Sequence, residues 1–173
     1  MSSPKPVQQT VRQDGSSVAR LIAGVQIRSI VTHQDDRGSL GELFTQSSDP
    51  LAPPIVHSYF VTVRPGKVKG WAIHHKQLDR YAFLSGSLKL VLFDFRSSSP
   101  TFQMLNEHFF SEVNRSVVSV PAGVFHAVEN VGLVDAVMFN FPDVPYRYEE
   151  PDKSTLPLDN DLIPYSFVPR LGY

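Results

Sequence analysis

The chain has 173 residues, of which 42% are hydrophobic and 19% charged, with a net charge of −1. That length holds one domain with a sizeable core, and so small a charge gives no global field for nucleic acid or an acidic membrane. Cysteine is absent, which excludes disulfides and thiol chemistry and fits a cytoplasmic protein, and no apolar run reaches the ~18 residues of a membrane span.

Residues 1–17 are polar and aperiodic, and they read as a flexible N-terminal arm ahead of a domain over 18–173. The N-terminus lacks the apolar core of a signal peptide. Val25 to Ile30 alternates apolar and polar residues, the two-residue period of a half-buried strand. Asp35-Asp36-Arg37-Gly38 reads as a turn, and a strand resumes over Ser39 to Phe44. Ile55 to Val63 is a β-branched and aromatic run closed by Arg64-Pro65-Gly66. Further strands are predicted over Val68 to His75, Tyr81 to Leu84 and Leu88 to Phe95, with Ser85-Gly86 as a tight turn. Ser97-Ser98-Ser99-Pro100 is a loop. Met104 to Phe110, Val117 to Val120, His126 to Asn130 and Ala136 to Phe141 complete the set. Beyond Pro142 the chain reads as a wrapping tail, with a helical turn expected around Pro151 to Ser154. Short, closely spaced strands with 14 prolines and 10 glycines predict an all-β barrel or sandwich.

Two segments bring histidines to the mouth of such a barrel. Strand alternation over Gly70 to His75 puts His74 on the face of Gly70 and Ala72, and His75 on the face of Trp71 and Ile73. Small neighbours leave room for a ligand, so His74 is expected to face inward. The alternative is one satisfied core histidine and one surface histidine. The second segment, Pro121 to Asn130, resembles the second motif of the cupin superfamily, Pro-x-Gly-x-x-His-x-x-x-Asn, at Pro121, Gly123, His126 and Asn130. The first cupin motif is incomplete, with His74-His75, Asp79 and Gly86 where the superfamily has His-x-His, an acid and a glycine. His74 or His75, Asp79 and His126 are a metal set in principle. The missing His-x-His spacing favours a site with no metal.

A closer resemblance runs from about Gly24 to Phe167. Asp36-Arg37-Gly38 with Glu42 and Phe44, Val68-Lys69-Gly70 to His74, and Phe93-Asp94-Phe95-Arg96 with Ser98 to Phe102 are similar to segments of the RmlC-like dTDP-4-dehydrorhamnose 3,5-epimerases. So are Val120 to His126 and Asp159 to Phe167. The resemblance implies a cupin jelly-roll, or double-stranded β-helix, with short helical turns. It also implies a dTDP-4-keto-6-deoxyhexose substrate, no cofactor and a homodimer. The reaction it implies is epimerisation at C3, C5 or both through an enolate. That chemistry needs a base, a group for the enolate oxygen and an acid across the ring.

By position, His74 is the implied base and Tyr146 the acid, one residue from the family's tyrosine position. Arg37, Glu42, Lys69, Asp79 and His126 are the implied substrate-binding residues, and Arg96 is expected to fix its own loop. The family's lysine falls on Asp79, which reverses the charge there. The family's C-terminal aspartate, which orients the histidine, has no counterpart, so the base is expected to lack its usual partner. His75-Lys76 also resembles part of the related 3,4-ketoisomerase motif. Two further readings follow: a ketoisomerase on the same substrate class, and a non-catalytic cupin that binds a sugar nucleotide.

Overall fold

The computed structural model describes residues 9–15, 17–45 and 54–167. Twelve strands run through it: β1 (Gln26–Ser29), β2 (Thr32–Asp35), β3 (Gly38–Gly41), β4 (Tyr59–Val63), β5 (Val68–Ile73), β6 (Asp79–Ser85), β7 (Leu88–Asp94), β8 (Leu105–Phe110), β9 (Ser116–Val120), β10 (Val124–Asn130), β11 (Ala136–Asn140) and β12 (Ser154–Thr155). They form two five-stranded sheets, ordered β1-β9-β6-β11-β4 and β12-β5-β10-β7-β8, and a separate β2-β3 hairpin. Every pairing is antiparallel. This is a jelly-roll barrel.

The core lies between the inner faces, where Leu88, Leu90 and Leu92 of β7 meet Tyr81, Phe83, Val118, Val120 and Met138. The outer faces are covered as well. Trp71, Ile73, Val91, Phe93 and Phe125 lie beneath Leu156, Ile163, Tyr165 and Phe167 of the C-terminal tail. Ile30, Ala82 and Val117 lie beneath Leu43, Leu84, Phe139 and Phe141. Burial on both faces explains why β7 reads as an unbroken apolar run.

The helical turn expected around Pro151 to Ser154 does not form. Ser154 and Thr155 instead pair with Ile73 and Ala72 as β12. Strand pairing at an open sheet edge satisfies the backbone there, and local propensity yields to it. The described residues contain no helix, and none is long and apolar enough to cross a membrane. Residues 1–8 and 16 of the expected arm lie outside the described residues, while Val11 and Ser17 close a small turn through a single bridge.

Candidate active site

Two turns build the site. Pro121 to Gly123 joins β9 to β10, with Gly123 at φ +79°. A Cβ there would sit 2.5 Å from Cγ of Arg96, so both conformation and space require glycine. The Gly123 N–H donates to the His74 carbonyl at 2.8 Å. The turn that delivers His126 therefore also anchors the strand end that carries His74. Gly70 does the same for β5 and β10. Its φ is +144° and a Cβ would meet that of Ala127 at 2.4 Å, so the two strands approach only because it has no side chain.

His74 and His126 stack with their rings 5.7 Å apart and inclined by 14°. Beneath them lies Asp79, only 1% exposed. Its Oδ2 is 3.5 Å from Nε2 of His74 and 3.7 Å from Nε2 of His126. Its Oδ1 accepts from Gln77 Nε2 at 2.6 Å and Asn140 Nδ2 at 2.7 Å, and its Oδ2 accepts from the Tyr81 hydroxyl at 2.9 Å. Asn140 also donates to the Tyr59 hydroxyl. Burial pushes the His126 imidazole below its usual range, the Asp79 charge opposes that, and His74 adds to it. Burial, reinforced by Asp79, pushes the Tyr81 phenol well up.

The other ring nitrogen of His74, Nδ1, meets the main-chain carbonyl of Asp152. A carbonyl only accepts, so Nδ1 carries the proton; whenever the ring is neutral, Nε2 then holds the lone pair. The Asp152 carboxylate accepts from the backbone N–H groups of His75, Lys76 and Gln77 at 3.2, 2.8 and 2.8 Å. Burial opposes its ionisation, but these three donors prevail and hold it below the usual carboxylate range.

A cleft of about 540 Å³ opens over His74, lined also by Lys76, Gln77, Tyr146, Arg147 and Lys153. Tyr146, 46% exposed, stacks against His57 and meets Tyr148 edge-on. His74 and Tyr146 thus share one cleft, while His126 and Asp79 lie buried behind His74 and do not line it. Asp79, an expected substrate contact, has its carboxylate buried under both imidazoles, where it accepts three hydrogen bonds. His75 is exposed and bonds to Ser154. Trp71 is fully buried.

The remaining expected binding residues do not line the cleft. Lys69 is exposed on β5 and Glu42 is exposed beyond β3. Arg37, with its side chain 85% exposed, caps the β2-β3 hairpin and pairs with Asp35. Arg96 binds the buried Asp94 carboxylate, which also accepts from Ser99 and Thr101, and it donates to the Ala23 carbonyl. The Asp-x-Arg and Ser-Pro-Thr segments are therefore scaffold. Asp152 was missed by the sequence reading, and with it an orienting partner for His74. Gln77, Lys76, Arg147 and Lys153 were also missed, since isolated polar residues in loops carry no pattern.

The ligand atoms of His74, Asp79 and His126 lie within 4.8 Å of one another, a spacing that suits a divalent ion. Three hydrogen bonds converge on the Asp79 carboxylate, two on Oδ1 and one on Oδ2.

The polysaccharide biosynthesis C-terminal domain family matches residues 33–154. Over 139 residues the chain is 31% identical to Agl13 of Haloferax volcanii, described as a probable low-salt glycan biosynthesis epimerase, covering 80% of this chain and 89% of that protein. The fold superposes on a dTDP sugar isomerase from Desulfovibrio desulfuricans with a TM-score of 0.79 and 25% identity, covering 86% of this chain and 95% of that one. It shares its fold with a dTDP-4-dehydrorhamnose 3,5-epimerase from Elizabethkingia anophelis at a TM-score of 0.72 and 20% identity, over 88% and 86% of the two chains.

Proposed function

We propose that this chain, which belongs to the polysaccharide biosynthesis C-terminal domain family, is an isomerase that epimerises C3, C5 or both of a dTDP-linked 4-keto-6-deoxyhexose through an enolate. The observation that carries this reading is the setting of His74. Its Nδ1 is committed to a carbonyl, its Nε2 lies beside a buried carboxylate, and the residue lines the cleft. Such a ring removes a proton through Nε2, and Asp79 stabilises the imidazolium that results. Tyr146 lines the same cleft and is the group we assign to return a proton. Lys76, Arg147 and Lys153 line it too and supply cations for the diphosphate and the enolate oxygen. The nucleotide is taken from the dTDP sugar isomerase to which the chain is similar, and the sugar class from the sequence resemblance to the 3,5-epimerases.

The test is incubation with a dTDP-4-keto-6-deoxyhexose in deuterated water. Deuterium is expected at C3 or C5, and H74Q should abolish its entry. Exchange by H74Q at the normal rate would overturn the assignment, and intact binding with no exchange by the native chain would make the protein a non-catalytic binder.

One observation favours a second reading. His74 and His126 stack on the same wall above one carboxylate. Two groups on one face suit a proton shift between neighbouring carbons, as in a 3,4-ketoisomerase. A 3-keto product would select that reading.

A homodimer belongs to the same proposal. The β2-β3 hairpin is exposed along its whole length, and Leu40 at 69% and Val31 at 71% exposure leave apolar surface bare. Seated on a second copy, the hairpin would carry Arg37 towards the partner's cleft. Light scattering at one-protomer mass would refute this. A cytoplasmic location fits both the nucleotide-linked substrate and the lack of cysteine.

A further inference from the structure

Chain position gives no reason for Asp152 to matter to His74, since 78 residues separate them. It sits in the segment between the cleft and β12, and it acts with both of its polar ends. The carboxylate gathers three consecutive backbone N–H groups, those of His75, Lys76 and Gln77. These follow the last residue of β5 and have no ladder partner of their own. Without an acceptor they would leave the turn after His74 free to open. The main-chain carbonyl of Asp152 then faces Nδ1 of His74. Asp79, the other carboxylate near His74, lies on the Nε2 side. It cannot hold the proton on Nδ1.

The placement of that carbonyl is set from further along the chain. Ser154 and Thr155 pair with Ile73 and Ala72, and the Leu156 N–H donates to the Trp71 carbonyl at 3.1 Å. Leu156, Ile163, Tyr165 and Phe167 pack on Trp71 and its neighbours. The Trp71 ring meets Tyr165 edge-on at 6.0 Å and Phe167 at 5.4 Å. The tail is thus a strap fastened on the outer face of the sheet, and its first residues reach over the rim to the site.

We propose that Asp152 is the positioning residue of the site: its carboxylate closes the turn after His74 while its main-chain carbonyl holds His74 in the Nδ1–H tautomer. The inference rests on the reading of His74 as the base. An imidazole free of this contact would keep only the long 3.5 Å approach of the Gln77 amide to Nε2, and would exchange between its tautomers. In the Nε2–H form Nε2 has no lone pair and cannot accept a proton.

The experiment uses the full chain labelled with ¹⁵N-histidine, with the His74 signals assigned by their loss in H74Q. In the substrate-free native protein, at a pH high enough for the ring to be neutral, His74 is expected to show the protonated-Nδ1, unprotonated-Nε2 pattern. In D152A that pattern should average towards tautomer exchange. Deuterium incorporation should fall about 10- to 100-fold in kcat with KM little changed, the usual effect of losing a partner that orients a ligand or base. D152N can keep one oxygen on the Lys76 and Gln77 N–H groups, so it should recover most of both the signal pattern and the rate. It also supplies the reading if D152A does not fold. An unchanged His74 pattern in D152A overturns the proposal, whether the rate falls or not. So does a D152N protein that folds yet matches D152A in full loss. The tautomer is read without substrate. A native chain that shows the pattern but exchanges no deuterium would therefore sink the assigned reaction, not the role of Asp152 in holding His74.

Discussion

Replacing Asp79 with asparagine tests the electrostatics of the site while sparing its packing. The amide is nearly isosteric with the carboxylate. Its oxygen still accepts from Gln77 and Asn140, now 2.6 and 2.7 Å away. Its nitrogen takes the place of Oδ2, and the Tyr81 hydroxyl turns from donor to acceptor. The fold should lose only about 1 kcal/mol, the net worth of one ordinary hydrogen bond. Aspartate to alanine is a worse probe, because it orphans three buried donors at about 1–3 kcal/mol each.

What the asparagine removes is charge. Oδ2 lies 3.5 Å from Nε2 of His74. Unit charges at that separation attract by about 5 kcal/mol at an effective dielectric of ~20. A transition state with the imidazolium about half formed would lose roughly half of this, about 2.5 kcal/mol, which is on the order of 50- to 100-fold in rate. The assay is deuterium entry into the 4-keto sugar, followed by proton NMR and normalised to folded protein by calorimetry. A D79N protein that exchanges within about threefold of the native rate, while H74Q is inactive, would refute the argument that Asp79 stabilises the charged ring.

Two further predictions concern the scaffold. Burial holds the imidazoles of His126 and His108 below their ordinary range, so the unfolded chain binds protons more readily than the folded one. The stability this provides is present above about pH 6.5 and is lost as pH falls from there through the folded values. The melting temperature should therefore drop on acidification from pH 7 to 5, and H126Q together with H108Q should flatten that slope; an equal slope in the double variant would contradict it. Substituting Gly123 by alanine forces a side chain into the left-handed region and against Cγ of Arg96, whose guanidinium is tied to Asp94. A loss of about 2 kcal/mol is expected in denaturant unfolding, with slower deuterium exchange because Gly123 anchors the His74 carbonyl; native stability in the variant would count against the anchoring role.

The barrel was legible because its signals are local. Alternation over Gln26–Ser29, the apolar run of Leu88–Asp94 and the Ser85-Gly86 turn each report their own backbone, and each lies within a residue or two of where it was expected. The orientation of His74 was legible for the same reason, since small neighbours on one face and Trp71 with Ile73 on the other decide which side is filled. Even so, the decisive weight on the outer face comes from Ile163, Tyr165 and Phe167, some ninety residues on. The β12 edge was not legible. Two residues carry no period, and only an unpaired β5 edge makes them a strand.

Site chemistry was legible where a side chain of the right type sat in a motif, and illegible where the acting atom belongs to the backbone. No carboxylate that could orient His74 stands where the family resemblance implies one. A different acceptor does that work. The carbonyl of Asp152 is an atom that every residue possesses, so residue identity could not mark it. Its side chain matters by fixing where that carbonyl lies, through three N–H groups on the turn it faces. Asp79 is the converse case. The resemblance implies a charge reversal there, but one dimension of sequence does not show that the charge is buried beneath the two histidines. There, a negative group favours the protonated ring, whereas at the cleft surface it would repel an enolate. The same residue type thus helps or hinders the reaction according to which side of the imidazole it occupies, and only the fold decides that.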